Sequence, residues 1–410
     1  MSVNNKVPEI RFKGFGGEWE DKVLGELAEI VRGASPRPIE DPKWFDSQSS
    51  VGWLRIRDVT EQDGRIHYLE QRISKLGQEK TRVLHEKHLL LSIAASVGKP
   101  VVNYVETGVH DGFLIFKKPL FELEFMYQWL KSFEAKWQQF GQPGSQVNLN
   151  SDIVKSQVVA IPTNEEQTTI GNYFQKLDSL INQHQQKHDK LSSIKKAMLE
   201  KMFPKQGETM PEIRFKGFSG EWNYLALGEN AKFTKGQGYS KGDLVTSGSP
   251  IILYGRLYTK YQTVITGVDT FVTEKNKSVK SIGGEVIVPA SGESPEDISR
   301  ASVVSEPNVI IGGDLNIVLP SKKIHSTFLA LAISNGHLKK KLSSKAQGKS
   351  VVHIRNSDLA DLDLILPTEY MEQTAIGNYF QKLDELINQH QQQISKLNNI
   401  KQACLSKMFI

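Results

Sequence analysis

Between residues 166 and 203 apolar side chains recur at steps of four and three: Ile170, Phe174, Leu177 and Ile181, then Leu191, Ile194 and Met198. Side chains at those spacings stack on one face of a helix and mark a coiled-coil seam. The stretch has no proline between its ends and is built from Gln, Lys, Leu, Ile, Asp and Ala. It reads as one helix of about 60 Å, at about 1.5 Å per residue. Residues 372–409 repeat the seam with Ile376, Phe380, Leu383, Ile387, Ile394, Leu397, Ile400 and Cys404. Set side by side, 165–204 and 371–410 agree at 28 of 40 positions, at a constant offset of 206. One narrow stripe cannot be buried by its own helix, so each copy is the natural partner of the other. Two successive steps of three near Leu191–Ile194 and Leu397–Ile400 are a stammer-like slip of the heptad. His184 and His390 fall on the seam. His184 with His188 has the spacing of two metal ligands on a helix face, but Ile394 stands where His188 would recur. The histidines are therefore read as polar layers that fix register.

A second pattern lies ahead of each helix. Residues 52–59, 88–96, 99–106 and 112–118 are rich in β-branched and aromatic residues between Gly and Asp breaks, and so are 250–258, 283–291 and 314–320. These predict strands. Residues 121–140 and 326–344 predict helices. The aromatic row Phe125, Trp129, Phe133 and Trp137 has helical spacing and reads as core packing rather than a base-stacking row. In both halves the order is strands, a helix, a Gly/Gln turn, then a short strand ending at Pro162 or Pro367.

The chain is also doubled at its heads. PEIRFKGFGGEWE at 8–20 returns as PEIRFKGFSGEWN at 211–223, identical at 11 of 13 positions, each soon followed by Leu-Gly-Glu. The expected organisation is α/β. A first half spans 1–162 with its variable part from about 21, and a central long helix and linker span 163–210. A second half spans 211–367, and a C-terminal long helix spans 368–410. Antiparallel pairing of the helices would make this a pseudo-twofold tandem repeat. The heads and helices agree, whereas 27–150 and 230–350 share little. Two near-identical frames with unlike inserts suggest two recognition modules aimed at different targets.

Composition narrows the function. With 39% hydrophobic and 24% charged residues the chain is ordinary globular material. A net charge of +5 is compatible with a nucleic-acid partner but does not require one. A single cysteine, Cys404, excludes a disulfide framework or a Cys/His zinc cluster and suggests a reducing cytoplasm. The N-terminus lacks an apolar signal core, and the longest apolar run, 89–97, is too short to span a bilayer. Phosphate-loop, dinucleotide-binding and Asn-Pro-Pro-aromatic methyltransferase motifs are absent, and the acidic loop 292–299 reads as solvated. A targeting or binding role fits better than catalysis.

Polar and basic loops fall at matched places in the two inserts. The first loop has Ser35 and Arg37 in one half, and Lys235, Gln237, Tyr239 and Lys241 in the other. Arg55 and Arg57 match Tyr254, Arg256, Tyr258 and Lys260. Lys99 matches Ser291. Gln142, Ser145 and Asn148 match Lys349 and Arg355. Each loop combines glycine, which allows close backbone approach, with side chains that contact phosphates and base edges.

The doubled head, the doubled helix start EQT-x-IGNYF-x-KLD and the two unlike inserts resemble, over essentially the whole chain, the specificity subunit of type I restriction-modification enzymes. That resemblance implies two target recognition domains, each reading one half of a split double-stranded DNA site. It implies paired helices that act as spacer and as docking surface for two methyltransferase subunits, with restriction and motor subunits joining the full complex. S-adenosylmethionine, ATP and magnesium would then belong to those partners, and this chain would be non-catalytic. The alternative is a free-standing pseudo-dimeric DNA-binding protein, a repressor or an adaptor.

Overall fold

The computed structural model describes residues 6–94, 96–140, 149–348 and 351–410. The chain divides into two compact units. One takes the chain as far as Gln183 together with Gln393–Ile410, and the other is His184–Gln392.

Each unit is built on a five-stranded sheet of the same order. In the first unit the order is Glu29–Arg32, Phe113–Lys117, Leu89–Ser92, Pro100–Asn103 and Arg65–Ile66. In the second it is Ala231–Lys235, Leu315–Pro320, Glu285–Pro289, Ser302–Val304 and Val264–Ile265. The last pair is parallel in both sheets and the others are antiparallel. Beside each sheet runs a second parallel pairing, Gly52–Leu54 with Thr107–Val109 and Ser249–Ile252 with Ile310–Ile311. The central strands Leu89–Ser92 and Glu285–Pro289 are buried along their whole length. This is why they read as continuous apolar runs rather than alternating ones.

Two sequence-predicted strands give way to helix. Residues 52–59 are extended only through Leu54; the helix Ile56–Glu61 follows, started by Asp58, whose carboxylate accepts the Arg55 backbone N–H at 2.8 Å. Ile56 and Val59, three apart, serve a helix face as well as a strand pattern would. Residues 250–258 break in the same way, with the helix Arg256–Thr259 after Ile252. The two predicted helices are each divided. The first becomes Leu123–Ser132 and Glu134–Trp137, followed by a 3-10 turn. The second becomes Ser326–Ser334 and Gly336–Lys345, parted at Gly336 with φ +61°. Phe125, Trp129 and Trp137 are core, with Phe133 packed against them.

The doubled stretch forms two helices of 38 residues, Asn164–Lys201 and Tyr370–Lys407. They run antiparallel. In the first unit Asp178 pairs with Lys401 at 2.6 Å, and in the second Lys195 pairs with Asp384. The seam is shared between partner helix and insert. Ile170, Phe174 and Leu177 join the first core with Cys404, Leu405 and Met408, but also with Phe125 and Trp129. Ile376, Phe380 and Leu383 join the second core, with Leu191 and Ile194 packed against it. Ile394 is buried, while Leu397 packs on the first core. Ile181 and Ile387, near the middle of the helices, are only half-buried. The expected polar layer is present: His184 Nδ1 lies 2.9 Å from His390 Nδ1. His188 turns instead to Asp189.

Each head is pinned twice. Arg11 donates to both Glu166 carboxylate oxygens at 2.7 Å, and Arg214 donates to those of Glu372 at 2.6 Å. The backbone N–H groups of Ile10 and Ile213 donate to the carbonyls of Lys407 and Lys201. Trp19 and Trp222, from the two GEW motifs, are buried behind these contacts.

Candidate nucleic-acid interface

Strand direction decides which loops meet. In the first unit the register sets Arg32 opposite Leu114 and Ser92 opposite Phe113, with Leu91 opposite Pro100. The segments that start at Gly33 and Ile93, and the one that runs from His110 to Gly112, therefore lie at the same end of the sheet. The parallel pair adds Arg55, which follows Leu54 opposite Val109, and the antiparallel partner adds Arg82. In the second unit Lys235 is opposite Asn316 and Pro289 opposite Leu315. The loops after Lys235 and Pro289 thus converge with the one before Leu315. Tyr254 joins through Ile252, opposite Ile311. The turn before Arg355 joins through the bridge of Ser291–Gly292 to Val352–His353. Both inserts thus gather five sequence-distant segments at one sheet end, where loops carry binding residues on a rigid scaffold.

Glycine makes the loops pack closely. A Cβ on Gly33 would run into the carbonyl oxygen of His110, and one on Gly236 into that of Gly312. These glycines end the first strand of each sheet, in the runs VRG and TKG.

In the first unit Asp111 organises the end. It accepts from Ser35 Oγ at 2.7 Å and Arg37 Nη2 at 2.7 Å, and its backbone carbonyl accepts from Arg32 Nε. Burial alone would push the Asp111 carboxyl up, but Ser35, Arg37 and Arg32 together hold it below the usual carboxylate range. The Arg37 side chain is 73% exposed. Arg55 is drawn back onto Asp58 and Glu70, and Arg57 onto Glu61. Lys99 is half-buried in its turn, where its backbone N–H donates to Ser92 Oγ. Half-buried His110, next to Trp53 and Phe113, has its pKa lowered by desolvation.

In the second unit Lys235, Gln237 and Lys241 are exposed, and Tyr239 donates to or accepts from Ser278 Oγ at 2.5 Å. Tyr254 is exposed beside Tyr258, whose hydroxyl donates to the Ser291 carbonyl. Ser291 Oγ lies within reach of Asp314 and His353. Arg256 is only 9% exposed and is held by Asp269, Gln262 and the Gly267 carbonyl, so in the free chain it shapes the loop. Lys260 shares Asp269, and the two cations, Lys260 first, bring that carboxyl down to about 2. The Arg355 backbone starts the helix Asn356–Ala360 through Asp358. Gln142, Ser145, Asn148 and Lys349 lie outside the described residues. Sequence reasoning missed Arg32, Arg82 and Asp111, and Asp314 in the other unit. None has a motif; only strand register brings them to the loops. No group of three or more His, Cys, Asp or Glu suited to a metal occurs among the described residues.

Residues 16–193 and 219–399 each match the family model of the type I restriction modification DNA specificity domain. The chain belongs to this family. It is similar to the specificity subunit of the type I restriction enzyme MjaVIII of Methanocaldococcus jannaschii, 19% identical over 405 residues, covering 95% of this chain and 91% of that protein. The crystal structure of a type I restriction-modification S subunit from M. genitalium shares the fold, with a TM-score of 0.61 at 14% identity over 98% of this chain and 99% of that one. The HsdS subunit of Thermoanaerobacter tengcongensis also aligns, over 95% and 96% of the two chains, at 16% identity and a TM-score of 0.42. Two DNA specificity domains in tandem, joined to two long helices, make this chain a type I specificity subunit. No helix among the described residues is long and apolar enough to cross a membrane.

Proposed function

We propose that each specificity domain holds one half of an asymmetric, split duplex DNA site through the loops at its sheet end. Methyl transfer and cleavage then belong to separate partner subunits, two methyltransferases and the restriction motors, and this chain is their non-catalytic guide. The observation that carries the reading is the contrast within the repeat: one sheet order in both units, with Ser35, Arg37 and Lys99 at one sheet end and Lys235, Gln237, Tyr254 and Ser291 at the other. A symmetric pair would suit a palindrome; unlike loops on like frames suit two different half-sites. The paired helices serve as spacer and as docking surface for the methyltransferases.

The test is a methylation map of genomic DNA from cells expressing the chain with a methyltransferase partner, against cells lacking the chain. A new methylated motif, interrupted by unread bases, is the expected result. Exchanging residues 24–162 for another insert should change one half of that motif and leave the other. Adding one helical turn, about 5.4 Å, to the long helices should lengthen the unread spacer alone. Chain-independent methylation, with partner binding demonstrated, would instead make this a free-standing DNA-binding protein.

A further inference from the structure

The second unit contains an open cleft of about 860 Å³ that belongs to none of the recognition loops. Its walls are the end of the first long helix, the linker after it, the residues before strand Val264–Ile265, and the start of helix Gly336–Lys345. Five lysines line it, Lys195, Lys196, Lys205, Lys339 and Lys340, against two carboxylates, Glu200 and Asp384. Lys195 is bound to Asp384, and Lys205 lies 3.7 Å from Glu212. Lys196, Lys339 and Lys340 have no carboxylate partner among the described residues. Five lysines against two carboxylates leave the cleft lining net positive, which favours an external polyanion.

The cleft is continuous with the recognition end. Lys339 and Lys340 also line a second groove with Pro295, Glu296, Ser343 and Ser344, next to the loop that starts at Ser291. On the other side Gln262, a cleft residue, accepts from Arg256 Nη2 at 2.9 Å, tying the cleft wall to the Tyr254–Tyr258 turn. Lysines are point charges on flexible stems, suited to phosphate without regard to base.

At the matching place in the first unit the charges are differently arranged. Lys401, the counterpart of Lys195, sits on Asp178; Lys131 sits on Asp63; and Gln402 stands where the first copy has Lys196.

We infer that Lys196, Lys339 and Lys340 form a sequence-independent phosphate track, which extends the second unit's grip on duplex DNA beyond the bases it reads. This rests on the DNA-targeting reading above, and it makes the two halves of the chain unequal in their electrostatic hold on DNA.

The experiment uses the chain assembled with its methyltransferase partner and a duplex carrying the mapped site, with affinity measured across a salt series. Each phosphate contact contributes about 0.9 to the slope of log affinity against log salt. K339Q/K340Q should lower the slope by about 2 and weaken specific and random DNA alike, leaving the methylated motif unchanged. K196Q copies the residue natural to the other helix and so keeps the fold; it should lower the slope by about 1. Unchanged slopes in both variants overturn the track. Loss of methyltransferase co-purification also overturns it, and points to an acidic protein segment as the occupant. A wild-type complex that methylates no split site overturns the DNA-targeting reading itself, before any variant is compared.

Discussion

Asp178 and Asp384 occupy the same place in the two long helices, 206 residues apart, and meet different company. Both keep a frame partner, Lys401 or Lys195 from the antiparallel helix. What the insert brings differs. In the first unit Arg65 donates to Asp178 at 3.2 Å and pairs with Glu124 at 2.8 Å, which Lys87 also reaches at 3.1 Å. Arg65 further donates to the Tyr104 hydroxyl and lies over the Tyr127 ring. In the second unit Thr263 donates to Asp384 at 2.9 Å, and Thr327 stands at the position of Glu124. The equivalence of Glu124 and Thr327 is fixed by the frame: Gly171 faces Glu124 as Gly377 faces Thr327. The insert therefore docks on a constant aspartate either with a cation that brings its own acid or with a hydroxyl. The frame's own ion pair is kept while the chemistry of the insert changes, so one frame can hold unlike inserts.

The largest effect should come where the two units agree. Glu166 and Glu372 are 1% exposed, and each depends on one head arginine. Arg11→Ala or Arg214→Ala leaves a carboxylate buried without its partner, which costs about 3–5 kcal/mol. Denaturant unfolding should show similar losses for the two variants. A loss in only one would mean that the heads are alike in sequence but not in role.

Where the units differ, the cost should depend on whether the replacement is balanced. Arg65→Thr removes charged hydrogen bonds from Glu124, each worth about 1.5–3 kcal/mol, although Lys87 and Lys401 remain. Glu124→Thr strands Arg65 in part. The double variant should cost less than the sum of the two, a coupling of about 0.5–3 kcal/mol. Additive losses would show that Arg65 and Glu124 do not act as a pair.

The same contrast should appear in acid. Burial pushes the Glu124 carboxyl up, but the hydrogen bonds from Arg65 and Lys87 outweigh it and hold the pKa below the ordinary 4.5. A carboxyl with a depressed folded pKa adds stability that is complete above its unfolded pKa and is lost as pH falls through the folded one. The first unit should therefore lose stability as pH drops below about 4.5, and Glu124→Gln should flatten that fall. Thr327 gives the second unit no such component at this position, although Asp269 there is itself held low. Hydrogen exchange of the amides around residue 124 at pH 5 and pH 3.5 would check it; a local loss unchanged by Glu124→Gln would refute it.

Much of this architecture was legible in the chain because the frame is written twice. Ile170, Phe174 and Leu177 and their copies gave the helices, and the aromatic row ending at Trp137 gave a core face. The short elements were less legible. Ile56 and Val59 satisfy both strand and helix spacing, and only the Asp58 cap chooses between them. Asp111 and Arg32 come to Ser35 and Arg37 through strand register, which no local pattern encodes. Arg256 looked like an exposed reader because Tyr-Gly-Arg is loop-like, but the distant Asp269 takes it into the fold.

The smallest effect concerns the layer where the two helices agree most closely. With His184 Nδ1 at 2.9 Å from His390 Nδ1, one ring must donate and the other accept. Two charged rings cannot do this. Burial first, then the nearby charges of His184, Lys187 and His188, lower the pKa of His390 from its usual 6.5. A base with a depressed folded pKa contributes stability that is complete above its unfolded pKa and is lost as pH falls. The helix pair should therefore loosen between about pH 7.5 and 5.5, around the ordinary histidine pKa, by less than either substitution above. His390→Gln keeps a hydrogen-bonding partner for His184 and removes one titrating ring, so it should reduce that loss. Hydrogen exchange of the backbone amides around 184 and 390 reads the effect locally. A pH response at those amides that survives in the variant would mean that the layer fixes register without sensing protons.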